Sequence, residues 1–204
     1  LSIEQAATLP CAAVTAWDAL FVRGNLQRGE TVLILGTGGV SIFALQFAKQ
    51  VGARVLVTTS TEAKADLLRG LGADAVHVYQ NDPAWDDWAL SQTGGLGVDH
   101  VVEIGGPETL NRSIKATRFG GHISLIGVLT GTAGDIQTVG ILRKGIRLDG
   151  IYVGSRAMFA QMLEKMIETQ MTPIIDSTFD FDQAPKAFQR MASGQHSGKI
   201  VIRI

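Results

Sequence analysis

The chain has 204 residues, of which 46% are hydrophobic and 18% charged, enough apolar material for one domain-sized core and too little charge for a disordered chain. A formal net charge of −1, with no basic run, argues against nucleic acid or an anionic membrane surface as a partner. The single cysteine, Cys11, rules out an internal disulfide and suits a reducing, cytoplasmic setting.

Taken in chain order, residues 1–21 ("LSIEQAATLPCAAVTAWDALF") are expected to be helical on both sides of Pro10. A repeated rhythm follows. "TVLILG" (31–36), "ARVLVTT" (53–59), "DAVHVY" (74–79), "VDHVVEI" (98–104) and "GHISLIGV" (121–128) are β-rich, and several are almost continuously apolar, as strands covered on both faces should be. Helix-like segments separate them, at 40–51, 61–72, 83–94 and 107–120. Thr61 suits a helix N-cap, Gly52 and Gly72 suit helix ends, and Pro83 and Pro107 suit first helical turns. Alternation at this spacing predicts an α/β fold, a doubly wound parallel Rossmann sheet with flanking segments. Beyond it, residues 146–154 read as a strand, 155–170 as an amphipathic helix, 181–194 as a turn and helix, and 199–204 as a last strand. The expected organisation is a linking helical segment at 1–24, a dinucleotide-binding domain at 25–150 and a C-terminal segment at 151–204.

The turn "GTGG" after the first strand reads as a phosphate cradle. Gly36 permits a tight turn, Gly38 lets the backbone approach a pyrophosphate, and Gly39 and Val40 open a helix whose N-terminus favours negative charge. The third glycine of the G-x-G-x-x-G fingerprint is replaced by Ser41, which puts a β-carbon where helix and strand pack. The second strand ends in Thr58, Thr59 and Ser60, with no Asp or Glu to take a ribose 2′-hydroxyl. Small hydroxyls, with Lys64 one helical turn on, suit a 2′-phosphate instead, so NADP is expected in preference to NAD. The plain alternative for Lys64 is a solvated lysine paired with Glu62. A methyl-donor-binding Rossmann enzyme would also want an acid near Thr59.

"LPCAAVTAWDAL", "GTGGVSIFALQFAKQVGARVLVTTSTEAKADLLRGLGAD", "GVDHVVEIGG", "FGGHISLIGVLTG" and "SGKIVIRI" occur in an order that resembles the medium-chain dehydrogenase/reductase superfamily, the zinc-type alcohol dehydrogenases and quinone reductases, over essentially the whole chain. The resemblance implies that a catalytic domain precedes Leu1, so that the chain is a fragment that binds cofactor without turnover. It places Thr59 where NAD-dependent members carry an Asp, and Lys64 and Tyr79 where NADP-dependent members contact the 2′-phosphate; Tyr79 also reads as a half-buried strand aromatic. By the same resemblance Thr15 lies beside the nicotinamide, Ile126, Gly127 and Val128 meet its carboxamide, and Glu103, Ile104 and Gly105 lie beneath the adenosine ribose. Residues 146–154 resemble the strand through which dimeric members pair, implying a homodimer.

Cys11 matches one catalytic-zinc ligand position, but a catalytic zinc needs three protein ligands, and a lone helical cysteine also reads as a small hydrophobe, so zinc stays open. His77, His100, His122 and His196 form no spaced ligand set, and Trp85 and Trp88 read as packing residues. The implied activity is hydride transfer between nicotinamide C4 and a small-molecule carbonyl, alcohol, enone or quinone. The alternative is a non-catalytic NADP-sensing module.

Overall fold

The computed structural model describes residues 1–204. It opens with a helical run in which α1 (Ile3–Ala7) and α2 (Val14–Trp17) are joined and followed by π-helical turns, Leu9–Ala13 and Asp18–Arg23. Strands and helices then alternate: β1 (Thr31–Leu35), α3 (Gly39–Val51), β2 (Arg54–Thr59), α4 (Glu62–Gly70), β3 (Ala75–Val78), α5 (Trp85–Gln92), β4 (Val98–Glu103), α6 (Pro107–Ala116), β5 (Thr117–Leu125), α7 (Thr138–Lys144) and β6 (Arg147–Gly150). The chain ends with α8 (Arg156–Glu168), β7 (Ile175–Asp180), α9 (Ala184–Ala192) and β8 (Lys199–Arg203).

The six strands form one parallel sheet in the order β3-β2-β1-β4-β5-β6, the doubly wound arrangement expected from the alternation. Its central strands are buried on both faces, which is why β1 is apolar from Val32 to Leu35 and β2 from Val55 to Val57. On one face α3 presents the fully buried Phe43 and Phe47. Trp17 and Phe21 of the opening helical run pack on Phe47 with ring centroids 5.6 and 6.1 Å away, so the N-terminal run shares the sheet's core. Each such aromatic pair contributes about 0.5–1.5 kcal/mol beyond its buried area. A second core on the other face joins Leu33, Leu56 and Ile123 to Leu110 and Ile114 of α6. No helix is long and apolar enough to cross a membrane.

Several boundaries differ from expectation. The segment 107–120 stops being helical at Ala116, and β5 begins at Thr117. The pairing passes from Val98↔Thr117 to His100↔His122, so a bulge holding Gly120 and Gly121 faces Asp99 where a helix end was expected. The strand expected over 146–154 pairs only at Arg147–Gly150, because its partner β5 ends at Leu125 and the chain there turns back on Glu103. Pro83 lies ahead of the first turn of α5, in a bend held by Asp82, whose Oδ1 accepts from the Ala84 amide at 2.9 Å. Helix α7 and strand β7 were not anticipated, and β7 supplies the parallel partner of the last strand. Thr61, Gly52 and Pro107 stand at the helix ends expected of them.

Candidate functional site

Order reverses in the sheet between β1 and β4, and a crevice opens there at the carboxyl ends of the strands. It is a cavity of about 740 Å³, lined from the sheet by Leu35–Gly38, Thr58–Ser60, Ile104 and Gly105. Lys64 and Tyr79 line it from beyond β2 and β3, and Gly194 and His196 from the loop that follows α9.

Its floor is the glycine turn. Gly36 has a φ of +70°, which strains any residue with a β-carbon, and such a carbon would lie 3.2 Å from Ile104 Cδ1. Gly38 caps α3, and a β-carbon added there would meet nothing within 4 Å, so this face of the turn is open. The departure at Ser41 is accommodated: its hydroxyl donates to the Leu35 carbonyl at 2.7 Å, tying helix to strand in a fully buried position. The first amides of α3 face the turn with no intrahelical acceptors, a suitable arrangement for an anion.

The rim at β2 is polar and carries no acid. Thr59 is buried, and its Oγ1 makes no hydrogen bond. A hydroxyl left so is costly unless something bonds to it. Lys64 is not paired with Glu62, which lies 3.5 Å from Arg69; its Nζ donates to the Gly194 carbonyl at 2.6 Å. Burial, reinforced by the nearby Arg190, lowers the Lys64 pKa from the usual lysine value. Tyr79 stands just past β3, 40% exposed, with its amide bonded to the Thr59 carbonyl.

Glu103 ends β4 fully buried, yet it does not line the cavity. Its carboxylate accepts from the Gly105 amide at 2.7 Å, the Gly106 amide at 3.1 Å, Thr109 Oγ1 at 2.6 Å and Ser113 Oγ. Glu103 therefore folds the turn whose Gly105 and Thr109 face the cavity. Ile126 and Gly127 donate their amides back to the Glu103 carbonyl, which places the segment Ile126–Val128 beside the same turn though outside the cavity wall. Thr15 is buried in α2 with its hydroxyl on the Cys11 carbonyl at 2.7 Å, and it too lies outside the wall, as do Gly39 and Val40.

The structure thus brings together Gly36, Gly38, Thr59, Ser60, Lys64, Tyr79, Ile104 and Gly105 around one space. Sequence reasoning missed Thr37, Thr109, Thr130, Gly194 and His196, and it read Trp85 as packing only, whereas Trp85 joins the core and the cavity wall. The loop carrying His196 is pinned on the glycine turn. The Gly198 amide donates to the Thr37 carbonyl at 2.9 Å, and the Ser197 amide to Asp176, which Arg190 holds by two bonds of 3.0 Å.

This chain alone does not assemble a zinc ligand set. Cys11 is exposed, and no three side chains of ligating type converge. A dinucleotide does fit, because the cavity joins an open glycine turn at a helix N-terminus to an unbonded hydroxyl and a lysine that makes no salt bridge.

Comparison with known proteins agrees with this fold. A zinc-type alcohol dehydrogenase-like protein of Schizosaccharomyces pombe is 42% identical over 210 residues, which span 100% of this chain and 61% of that protein. A Sinorhizobium meliloti protein provisionally identified as an alcohol dehydrogenase superposes with a TM-score of 0.95 at 38% identity, over 100% of this chain and 59% of that one. A mycobacterial protein solved in complex with NADPH superposes with a TM-score of 0.88 at 26% identity, over 100% of this chain and 66% of that one. The chain therefore spans about three-fifths of the first two relatives. The family model described as zinc-binding dehydrogenase matches residues 39–168, and the chain belongs to that family.

Proposed function

We propose that this chain is the cofactor-holding part of an NADP-dependent oxidoreductase of the alcohol dehydrogenase or quinone reductase type. The observation that carries the reading is the rim of the cavity at β2. Where an NAD site places a carboxylate, Thr59 offers an unbonded buried hydroxyl, and Lys64 brings an ammonium that no carboxylate pairs. The NADPH complex of a relative sharing 26% identity supports the same cofactor.

In this reading Gly36 and Gly38, with the opening amides of α3 at Gly39 and Val40, take the pyrophosphate. Thr59, Ser60, Lys64 and Tyr79 take the ribose 2′-phosphate. Ile104 and Gly105, on the turn that Glu103 shapes, lie under the adenosine ribose, while Thr15 and the Ile126–Val128 backbone hold the nicotinamide end. When bound, the cofactor would exchange hydride at C4, giving it to a small-molecule carbonyl, enone or quinone or taking it from an alcohol. The chain's own contribution is orientation and exclusion of water: a fixed turn and a half-enclosed cavity hold the ligand in one pose. Homodimer formation through the edge next to β6 belongs to the same proposal, and no step is assigned to zinc.

The test is steady-state kinetics of the full-length protein against aldehydes and enones with NADPH and NADH. A kcat/KM at least tenfold higher with NADPH is expected. Preference for NADH, or no turnover of either cofactor, would contradict the reading.

A further inference from the structure

Two residues of the cavity wall, Thr59 and His196, each carry a buried polar atom that makes no hydrogen bond, Oγ1 and Nδ1. They come from opposite sides, one from the tip of β2 and the other from the loop after α9. Lys64 lines the same cavity, and its bond to the Gly194 carbonyl ties the two sides together at 2.6 Å. The loop holds its place independently of any ligand, through Asp176, Arg190 and the bond from Gly198 to Thr37. A rigidly placed imidazole with an unsatisfied nitrogen beside an unpaired ammonium is a site for an anion.

We propose that His196 is a further specificity-determining residue of this site: together with Lys64 it receives the phosphate monoester on the cofactor's ribose, and it takes up a proton from solvent as it does so. The inference rests on the reading of the cavity as an NADP site and adds to it a second ligand and a proton linkage. The charged groups facing His196 are Lys64 from α4, Arg190 from α9, Asp176 from β7 and Lys199 from β8. Asp176 and Arg190 offset one another in their two-bond pair, which leaves two lysines and no free carboxylate. Burial, aided by Lys64, Arg190 and Lys199 and opposed by Asp176, holds the imidazole pKa below the usual histidine value, so the ring is neutral at neutral pH before the anion arrives. A dianionic phosphate reverses that balance, because an opposite charge at hydrogen-bonding distance favours the imidazolium.

The chain is titrated calorimetrically with adenosine 2′,5′-bisphosphate and with ADP, at pH 7.5, in two buffers of different ionisation enthalpy. This pH lies above the second phosphate pKa of about 6, so any net uptake comes from the protein. Expected is tighter binding of the 2′-phosphorylated ligand, with proton uptake for it alone. His196→Gln, which keeps a donor but does not titrate, should abolish the uptake and weaken that ligand roughly three- to tenfold while leaving ADP unchanged. If the wild-type chain prefers the 2′-phosphate but takes up no proton, or if His196→Gln weakens both ligands equally, the inference fails and the NADP reading stands. If the wild-type chain does not distinguish the two ligands, both fail. The uptake measurement needs no variant, so a folding defect in His196→Gln leaves the proposal open to refutation.

Discussion

Lys64 Nζ lies 2.6 Å from the carbonyl oxygen of Gly194, joining the helix after β2 to a loop 130 residues further along the chain. The contact bridges the cavity rim between α4 and the loop after α9, two segments remote in sequence. Lys64 acts at once as a strut and as an unpaired charge.

Because the rim lacks an acid, inserting one should reverse the cofactor choice. Thr59→Asp places a carboxylate where a 2′-phosphate would come, in a position only 1% exposed. NADPH affinity should fall by more than about tenfold relative to NADH, by like-charge repulsion. Fluorescence titration with both reduced cofactors measures the ratio, and an unchanged ratio would place the phosphate elsewhere.

Glu103 accepts four hydrogen bonds in full burial, so a neutral amide cannot replace it. Glu103→Gln turns one acceptor into a donor facing donors and should cost about 2–4 kcal/mol in urea unfolding. Cofactor binding should weaken with it, since Gly105 and Thr109 line the cavity. A loss below about 0.5 kcal/mol would show that the turn is held by other contacts.

Gly198 has a φ of +78°, and a β-carbon there would lie 2.5 Å from the Ile174 carbonyl oxygen. Gly198→Ala should therefore destabilise the chain by about 1–3 kcal/mol and lift the His196 loop off Thr37. Affinity for NADPH should fall more than affinity for NADH, and calorimetry on the variant distinguishes the two.

His100 and His122 pair across β4 and β5 with their Nδ1 atoms 3.4 Å apart, His100 also bonding Glu30 at 3.0 Å and His122 bonding Asp149 at 3.1 Å. Burial first, then Arg147 and His100, pushes His122 down to about 4 from 6.5, while Asp149 opposes the shift. Its folded pKa is lower than its unfolded one, so between about 6.5 and 4 the unfolded chain binds more protons. Stability should accordingly fall as pH drops through that window, by on the order of 1 kcal/mol per unit. His122→Asn should flatten the slope, and urea midpoints across the window would show it.

The parts of this molecule that were legible in the sequence are local or periodic. Apolar runs such as "TVLIL" announce buried parallel strands, and "GTGG" before a helix announces the tight turn that caps α3 and lines the cavity. Lys64 was legible because it sits one helical turn beyond the strand tip. His196 was not, because it reaches the cavity through β7, α9 and the bond from Gly198 to Thr37, and no short-range pattern encodes that path. Strand β7, "IDSTFD", is half-exposed and polar, so it lacks the apolar signature of a central strand. The "FGG" of residues 119–121 reads equally as a helix end or a bulge, and the pairing of β4 with β5 decides between them.

The most direct test of the account is calorimetric titration of this chain with NADPH and NADH, before and after Lys64→Ala. NADPH should bind the wild-type chain at least tenfold more tightly than NADH, and the substitution should remove most of that difference by lowering NADPH affinity far more than NADH affinity. Equal binding of the two cofactors by the wild-type chain, or a preference for NADH, would contradict it.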